Sequence, residues 1–298
     1  MTTRAKIPQR AYGSTGLWVS SLGFGAGQIG DAELDEAHIG RLLNETLDLG
    51  ITLIDTARGY GLSEERIGRH IAHRRSAYVL STKVGYGIDG VVDWTYDCIL
   101  AGVERALRLM RTDHLDIAHL HSCPKETLER GEVIEALDRC VGDGKIRFTA
   151  YSGDNEPLEW ALASRRFRGL MCSVNMFDQR AMDRVVTPAG KRGLGVIAKR
   201  PIGNAPWLHA NQPTGRYCEQ YWLRMKAMGL DFGADWADTA LRFTAFADGV
   251  TSCIVGGRNI EHVRSNMASI ARGPLSSDVV TAIRAAFAQH DNNWTGQV

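Results

Sequence analysis

The chain has 298 residues, 44% hydrophobic and 23% charged, a balance that suits a globular protein with a sizeable core. A formal net charge of +1 without a basic run offers nothing to nucleic acid, and no apolar stretch approaches a membrane span. Residues 1–10, MTTRAKIPQR, carry no apolar leader, and the six cysteines (98, 123, 140, 172, 218 and 253) form no CxxC, so they read as reduced thiols of a cytoplasmic protein.

Strand and helix signals alternate along the chain, which predicts a parallel sheet. Residues 11–20, with Gly13 and Gly16, read as a hairpin able to close a barrel floor. Strands are expected near 21–24, 52–55, 78–83, 115–121, 146–151, 169–175, 195–199 and 252–255. Helices fit 36–49, 63–73, 95–110, 132–142, 156–164, 180–192, 235–247 and 260–271. Eight of each make an α/β chain, a (β/α)8 TIM barrel forming one domain over 1–298. A further helix near 277–289 and a polar tail reaching Trp294 follow. The longest departure, 202–233, holds Pro206, Trp207, Pro213, Gly215, Tyr217 and Trp222; it reads as a substrate lid or a packed surface excursion.

Three strand ends carry chemistry. The run Ile51-Thr52-Leu53-Ile54 lands on Asp55, and Tyr60 follows in a glycine-bearing loop before a helix opening at Ser63. The next strand stops at Lys83 and the following one at His121. A strand-end aspartate alone is commonly a cap and a loop tyrosine commonly packing. Together, at the face where barrels hold their sites, they read otherwise. An inward lysine needs a counter-charge, which Asp55 can supply. Lys83 can then make Tyr60 a usable proton donor, and His121 can orient a carbonyl oxygen. The four groups suit adding hydride and proton across C=O.

Two patterns point elsewhere. Gly25-Ala26-Gly27-Gln28-Ile29-Gly30 matches GxGxxG after a strand, but Asp31, Glu33, Asp35 and Glu36 come next and would repel a pyrophosphate. The glycines are read instead as letting the backbone of this loop approach a bound group. His119 and His121 face the same way as alternate strand residues, yet no third ligand is in register, so no metal is expected. His119 is expected one layer below, in the core.

The set Leu53-Ile54-Asp55-Thr56-Ala57, Tyr60-Gly61, Glu64, Ser81-Thr82-Lys83, Leu115-Asp116 and His121-Ser122-Cys123-Pro124 resembles the aldo-keto reductase superfamily. The stretches 12–20 and 22–25 and Ile254-Val255-Gly256-Gly257-Arg258 agree too, so the resemblance covers almost the whole chain. It implies a nicotinamide dinucleotide laid across the barrel mouth. Gly25, Ser152, Asn175, Lys199, Arg200, Pro201 and Ile202 fall at family cofactor positions, and Gly256, Gly257, Arg258, His262 and Asn266 match the adenosine end. Lys199 stands where relatives commonly have a tyrosine, Met171 where they often have glutamine, and Gly153 where many have asparagine. Arg258 offers a planar donor fork to a 2′-phosphate or the adenine face.

The expectation is an NADP(H)-dependent oxidoreductase, with NAD as the alternative cofactor, interconverting an aldehyde or ketone and its alcohol. Tyr60 acts as acid or base, tuned by Lys83, with Asp55 anchoring Lys83 and His121 orienting the carbonyl. A sugar (aldose) dehydrogenase and a cofactor-binding regulatory subunit that senses redox state remain open. Partners are a small carbonyl or sugar substrate, with no nucleic acid or membrane, in a monomer or weak homo-oligomer.

Overall fold

Strands covered on both faces should be apolar without alternation, and every residue of Val79–Val84 and Gly169–Ser173 is buried. The computed structural model describes residues 7–297, so the reading of residues 1–6 as free of a leader lies outside the described residues. Among the described residues ten strands run in order: β1 (Gln9–Ala11), β2 (Trp18–Ser20), β3 (Leu22–Gly25), β4 (Leu53–Asp55), β5 (Val79–Val84), β6 (Leu115–His121), β7 (Ile146–Ser152), β8 (Gly169–Ser173), β9 (Gly195–Lys199) and β10 (Ser252–Gly256). The last eight close into a barrel, β10-β3-β4-β5-β6-β7-β8-β9, with every neighbouring pair parallel. Helices connect them, and Ser277–His290 is an additional helix after the last unit. No helix among the described residues is long and apolar enough to cross a membrane.

β1 and β2 pair antiparallel as the expected hairpin. Ser20 and Thr52 exchange two hydrogen bonds of 2.9 Å, and the Ser14 amide donates to the Gly193 carbonyl at 2.8 Å. Both anchors precede barrel strands, so the hairpin sits at the amino-terminal end. Tyr12, Leu17 and Val19 enter the interior there and pack with Leu53, Val79, Ile117, Ala150, Met171 and Ile197. The barrel is therefore sealed from below by apolar side chains, and its polar residues collect at the opposite mouth.

The chain departs from the expected elements in three places. The 202–233 excursion contains a helix, Glu219–Met228. Tyr221, Met225 and Met228 recur at i, i+4 and i+7 on it and pack with Phe177, Ile283 and Phe287. A short helix, Lys125–Arg130, follows β6. The helix expected over 180–192 divides into a π turn, Met182–Val186, and Thr187–Lys191, where Pro188 brings no N–H to the ladder.

Tyr12 fixes a close approach. Its ring lies where a Cβ on Gly169 or Gly195 would stand, and its hydroxyl is buried with no hydrogen-bond partner. Gly195→Ala is expected to cost about 1–3 kcal/mol and lower Tm by roughly 2–5 °C. Tyr12→Phe is expected to be nearly neutral, because it deletes only an unpaired hydroxyl. Thermal melts of the two variants check this; an unchanged Tm for Gly195→Ala would contradict a packed floor.

Candidate active site

Adjacent parallel strands bring their carboxyl ends together, and that places a carboxylate beside an ammonium. Asp55 ends β4, aligned with Ser81 of β5, and Lys83 lies two residues further along β5. Lys83 Nζ donates to Asp55 Oδ2 at 2.6 Å, with side chains only 2% and 1% exposed. Nζ also donates to the Thr56 carbonyl at 2.7 Å, and Ser81 Oγ donates to Asp55 Oδ1 at 2.7 Å. Burial alone would pull the lysine down, but the charges of Asp55 and Tyr60 outweigh it and hold the ammonium above its ordinary range.

Tyr60 is held over this pair by its loop. The Leu62 amide donates to Gly30 and the Ser63 amide to the Tyr60 carbonyl, both at 3.0 Å, while Gly61 takes a φ of +52°. Ser63 Oγ bonds Thr56 and the Ala26 carbonyl, locking the helix Ser63–His70 to the first two loops. Lys83 Nζ lies 5.0 Å from the centre of the Tyr60 ring. His121 meets that ring edge-on at 6.0 Å between centroids.

His121 has lost its basicity. Burial, and then the charges of Lys83 and Lys199, push its pKa down to about 3, so it is neutral at physiological pH. Its Nδ1 lies 2.8 Å from the Tyr86 hydroxyl. His119 is wholly buried beneath, its Nε2 3.1 Å from Ser81 Oγ, and it too is held neutral, at about 3, by burial and Lys83. Among the described residues, no group of three or more His, Cys, Asp or Glu side chains could hold a metal ion.

The positions expected to hold a dinucleotide fall into two groups. On one side of the mouth are Ser152, Asn175, Lys199, Arg200, Pro201 and Ile202. Lys199 Nζ pairs with the buried carboxylate of Asp154 at 2.7 Å, so its charge is already compensated. Asn175 accepts from the Phe177 amide at 2.8 Å and donates to the Arg200 carbonyl at 3.1 Å. Arg200 donates to the Gln297 carbonyl at 2.5 Å and contacts the Tyr217 hydroxyl. Ser152 and Pro201 are buried; Ile202 is half-buried.

On the other side, Gly25 and Gly256 are register partners where β3 and β10 end. A Cβ on Gly256 would come within 3.2 Å of the Gly25 carbonyl, so bare backbone lines this edge. Gly257 and Arg258 lead to Asn259, which caps the twelve-residue helix Ile260–Ala271; His262 and Asn266 lie one turn apart on it. A helix start beside an arginine is a setting that fits a nucleotide phosphate, with the Glu261 and His262 amides already bonded to the Asn259 side chain and carbonyl. Arg258, half-exposed, pairs with Asp31 at 3.0 Å, and its carbonyl lies 2.6 Å from His38 Nε2. The GxGxxG stretch forms a 3-10 turn, Ala26–Gly30, and the following α-helix begins only at Glu36.

Three residues with a hand in this geometry, Tyr86, Asp154 and Arg66, went unnoticed in the sequence, whereas Tyr217 lies in the excursion already read as a lid. Tyr86 lies three positions past Lys83, and Asp154 two past Ser152, both just beyond strand ends. Arg66, almost fully buried, donates to the carbonyls of Ile29, Asp31 and Leu34 and to Glu36, clamping the first loop. A charged residue inside a helical pattern gave no signal of burial.

The model of the Aldo/keto reductase family matches residues 21–288. The chain is 29% identical over 296 residues to the uncharacterized oxidoreductase YrpG of Bacillus subtilis (strain 168), covering 87% of this chain and 89% of that one. It is 26% identical over 288 residues to L-galactose dehydrogenase of Arabidopsis thaliana, covering 89% and 88%. The holo form of aldo-keto reductase AKR11C1 from Bacillus halodurans superposes with a TM-score of 0.80 at 26% identity, covering 94% and 96%. Barrel, strand-end residues and relatives agree: the chain belongs to the aldo/keto reductase family and is an NAD(P)H-dependent carbonyl oxidoreductase.

Proposed function

We propose that the chain interconverts an aldehyde or ketone and the corresponding alcohol with NADP(H), Tyr60 giving the proton in reduction and taking it in oxidation. One observation carries this reading: Lys83 Nζ, sealed in its pair with Asp55, lies 5.0 Å from the Tyr60 ring centre. A fixed positive charge favours the phenolate and so makes the phenol a better acid. Asp55 anchors Lys83, and the Thr56 carbonyl and Ser81 hydroxyl hold the pair in place. His121, neutral, donates to the carbonyl oxygen and turns the carbon toward the hydride donor. A bound nicotinamide dinucleotide supplies the hydride.

In this proposal Gly25, Ser152, Asn175, Lys199, Arg200, Pro201 and Ile202 hold the nicotinamide and phosphate side. Gly256, Gly257, Arg258, His262 and Asn266 hold the adenosine side. Arg258 favours NADP(H) over NAD(H), against competition from Asp31. A sugar dehydrogenase is the second reading, supported by the similarity to L-galactose dehydrogenase. Six free, buried cysteines support a reducing, cytoplasmic setting.

A screen of aldehydes, ketones and aldoses with both cofactors, run in both directions, tests the activity and chooses between the two readings. Tyr60→Phe should cut kcat by about 10²-fold or more while cofactor binding stays near that of the parent. Activity within a few-fold of the parent would refute the assignment. Because His121 stays neutral down to about pH 3, kcat/KM for reduction should show no break near 6.5, the usual imidazole range. A break there that vanishes in His121→Asn would contradict a neutral donor. Arg258→Ala should weaken NADPH roughly 3- to 10-fold, the half-exposed contact being screened, and leave NADH almost unchanged. Fluorescence titration of both cofactors checks this, and an unchanged ratio would remove Arg258 from the discrimination.

A further inference from the structure

The His121 ring is useful to a carbonyl oxygen in only one of its two neutral tautomers. With the proton on Nε2 it donates; with the proton on Nδ1, Nε2 presents a lone pair to another lone pair. What decides between them is the partner of the other nitrogen.

That partner is Tyr86. Its hydroxyl lies 2.8 Å from His121 Nδ1, and the two rings stack at 5.4 Å with an interplanar angle of 26°. The hydroxyl has no other hydrogen-bond partner among the described residues. If it accepted from an Nδ1–H, its own proton would have no protein acceptor. If it donates, Nδ1 is satisfied and the imidazole proton stands on Nε2. Nε2 has no partner among the described residues and is not one of their sealed polar atoms, so it is open to a ligand. Burial, then the nearby Tyr60, raises the Tyr86 pKa, which keeps its proton available for donation.

The loop is built to hold this tyrosine. Gly85 and Gly87 flank it with φ of +139° and +70°, which favour glycine. A Cβ on Gly85 would overlap the Trp94 ring, and that ring backs Tyr86 at 5.8 Å. The Trp94 amide donates to the Gly85 carbonyl at 2.8 Å and the Gly87 amide to Asp93 at 2.7 Å, pinning the turn on both sides.

We propose that Tyr86 is a positioning residue for the reaction: it donates to His121 Nδ1, fixes the ring by stacking, and keeps Nε2–H aimed at the substrate carbonyl. This rests on the proposed role of His121, and the test separates the two. Long-range proton–nitrogen correlation on the full chain, with histidine labelled in 15N and His121→Asn used to assign its signals, reads the tautomer without any turnover. The parent should show His121 with Nε2 protonated and Nδ1 bare; Tyr86→Phe, which keeps the stacked ring, should move population to the Nδ1–H form. In turnover, Tyr86→Phe should lower kcat roughly 3- to 10-fold, with cofactor affinity and Tm close to the parent. An Nδ1–H tautomer in the parent, or an unchanged tautomer in Tyr86→Phe, overturns the proposal. Absence of carbonyl turnover in the parent, with the Nε2–H tautomer present and sensitive to Tyr86, would instead locate the failure in the oxidoreductase reading.

Discussion

Lys83 and Asp55 meet where water scarcely reaches, and taking two charges out of water costs several kcal/mol per ion unless geometry and further hydrogen bonds offset it. Here both conditions are met. The 2.6 Å contact is reinforced by the Thr56 carbonyl on the ammonium and the Ser81 hydroxyl on the carboxylate. Strand adjacency supplies the arrangement, since Asp55 and Ser81 are register partners and Lys83 follows on the same strand. Everything else at the mouth depends on this trapped positive charge. It faces the Tyr60 ring, it helps keep His121 and His119 neutral, and it could not be held there without Asp55.

The two ends of the barrel divide the work of folding and chemistry. At the floor, Tyr12, Leu17 and Val19 close the interior against a ring of apolar side chains, and the Tyr12 hydroxyl is buried there without a hydrogen-bond partner among the described residues. At the mouth the strands end in Asp55, Lys83, His121, Ser152 and Lys199, and the loops beyond them carry Tyr60, Tyr86 and Asp154. A rigid, dry floor lets these polar groups be positioned by strand register rather than by mobile loops. Lys199 illustrates how charge is matched: its ion pair with Asp154 compensates it, whereas Arg200 beside it meets a carbonyl and a hydroxyl. Arg258 is likewise balanced by Asp31, so any preference for an extra phosphate arises against an opposing carboxylate.

Much of this was legible in the sequence, for identifiable reasons. Strand runs buried on both faces are short and largely apolar, so a titratable side chain at the carboxyl end of each run is conspicuous; that is why Asp55, Lys83 and His121 stood out. The hairpin was marked by Gly13 and Gly16. What stayed hidden depends on contacts distant in sequence. Tyr86 drew no attention because its partner is 35 residues away. The pairing of Lys199 with Asp154 and of Arg258 with Asp31 left no trace in local pattern. The helix Glu219–Met228 was masked by Pro213 and Gly215 before it, although Tyr221, Met225 and Met228 had the right spacing.

The state of Lys83 is the quantity on which the account turns, and it can be observed directly. Chemical-shift titration of lysine labelled at Cε and Nζ, with the Lys83 signal assigned by Lys83→Met, would follow its protonation in the intact protein. The account expects the ammonium form to persist beyond 10.5, the ordinary lysine value, and the titration point to fall in Asp55→Asn. A Lys83 that releases its proton well below 10.5 in the parent, or titrates identically in Asp55→Asn, would contradict it.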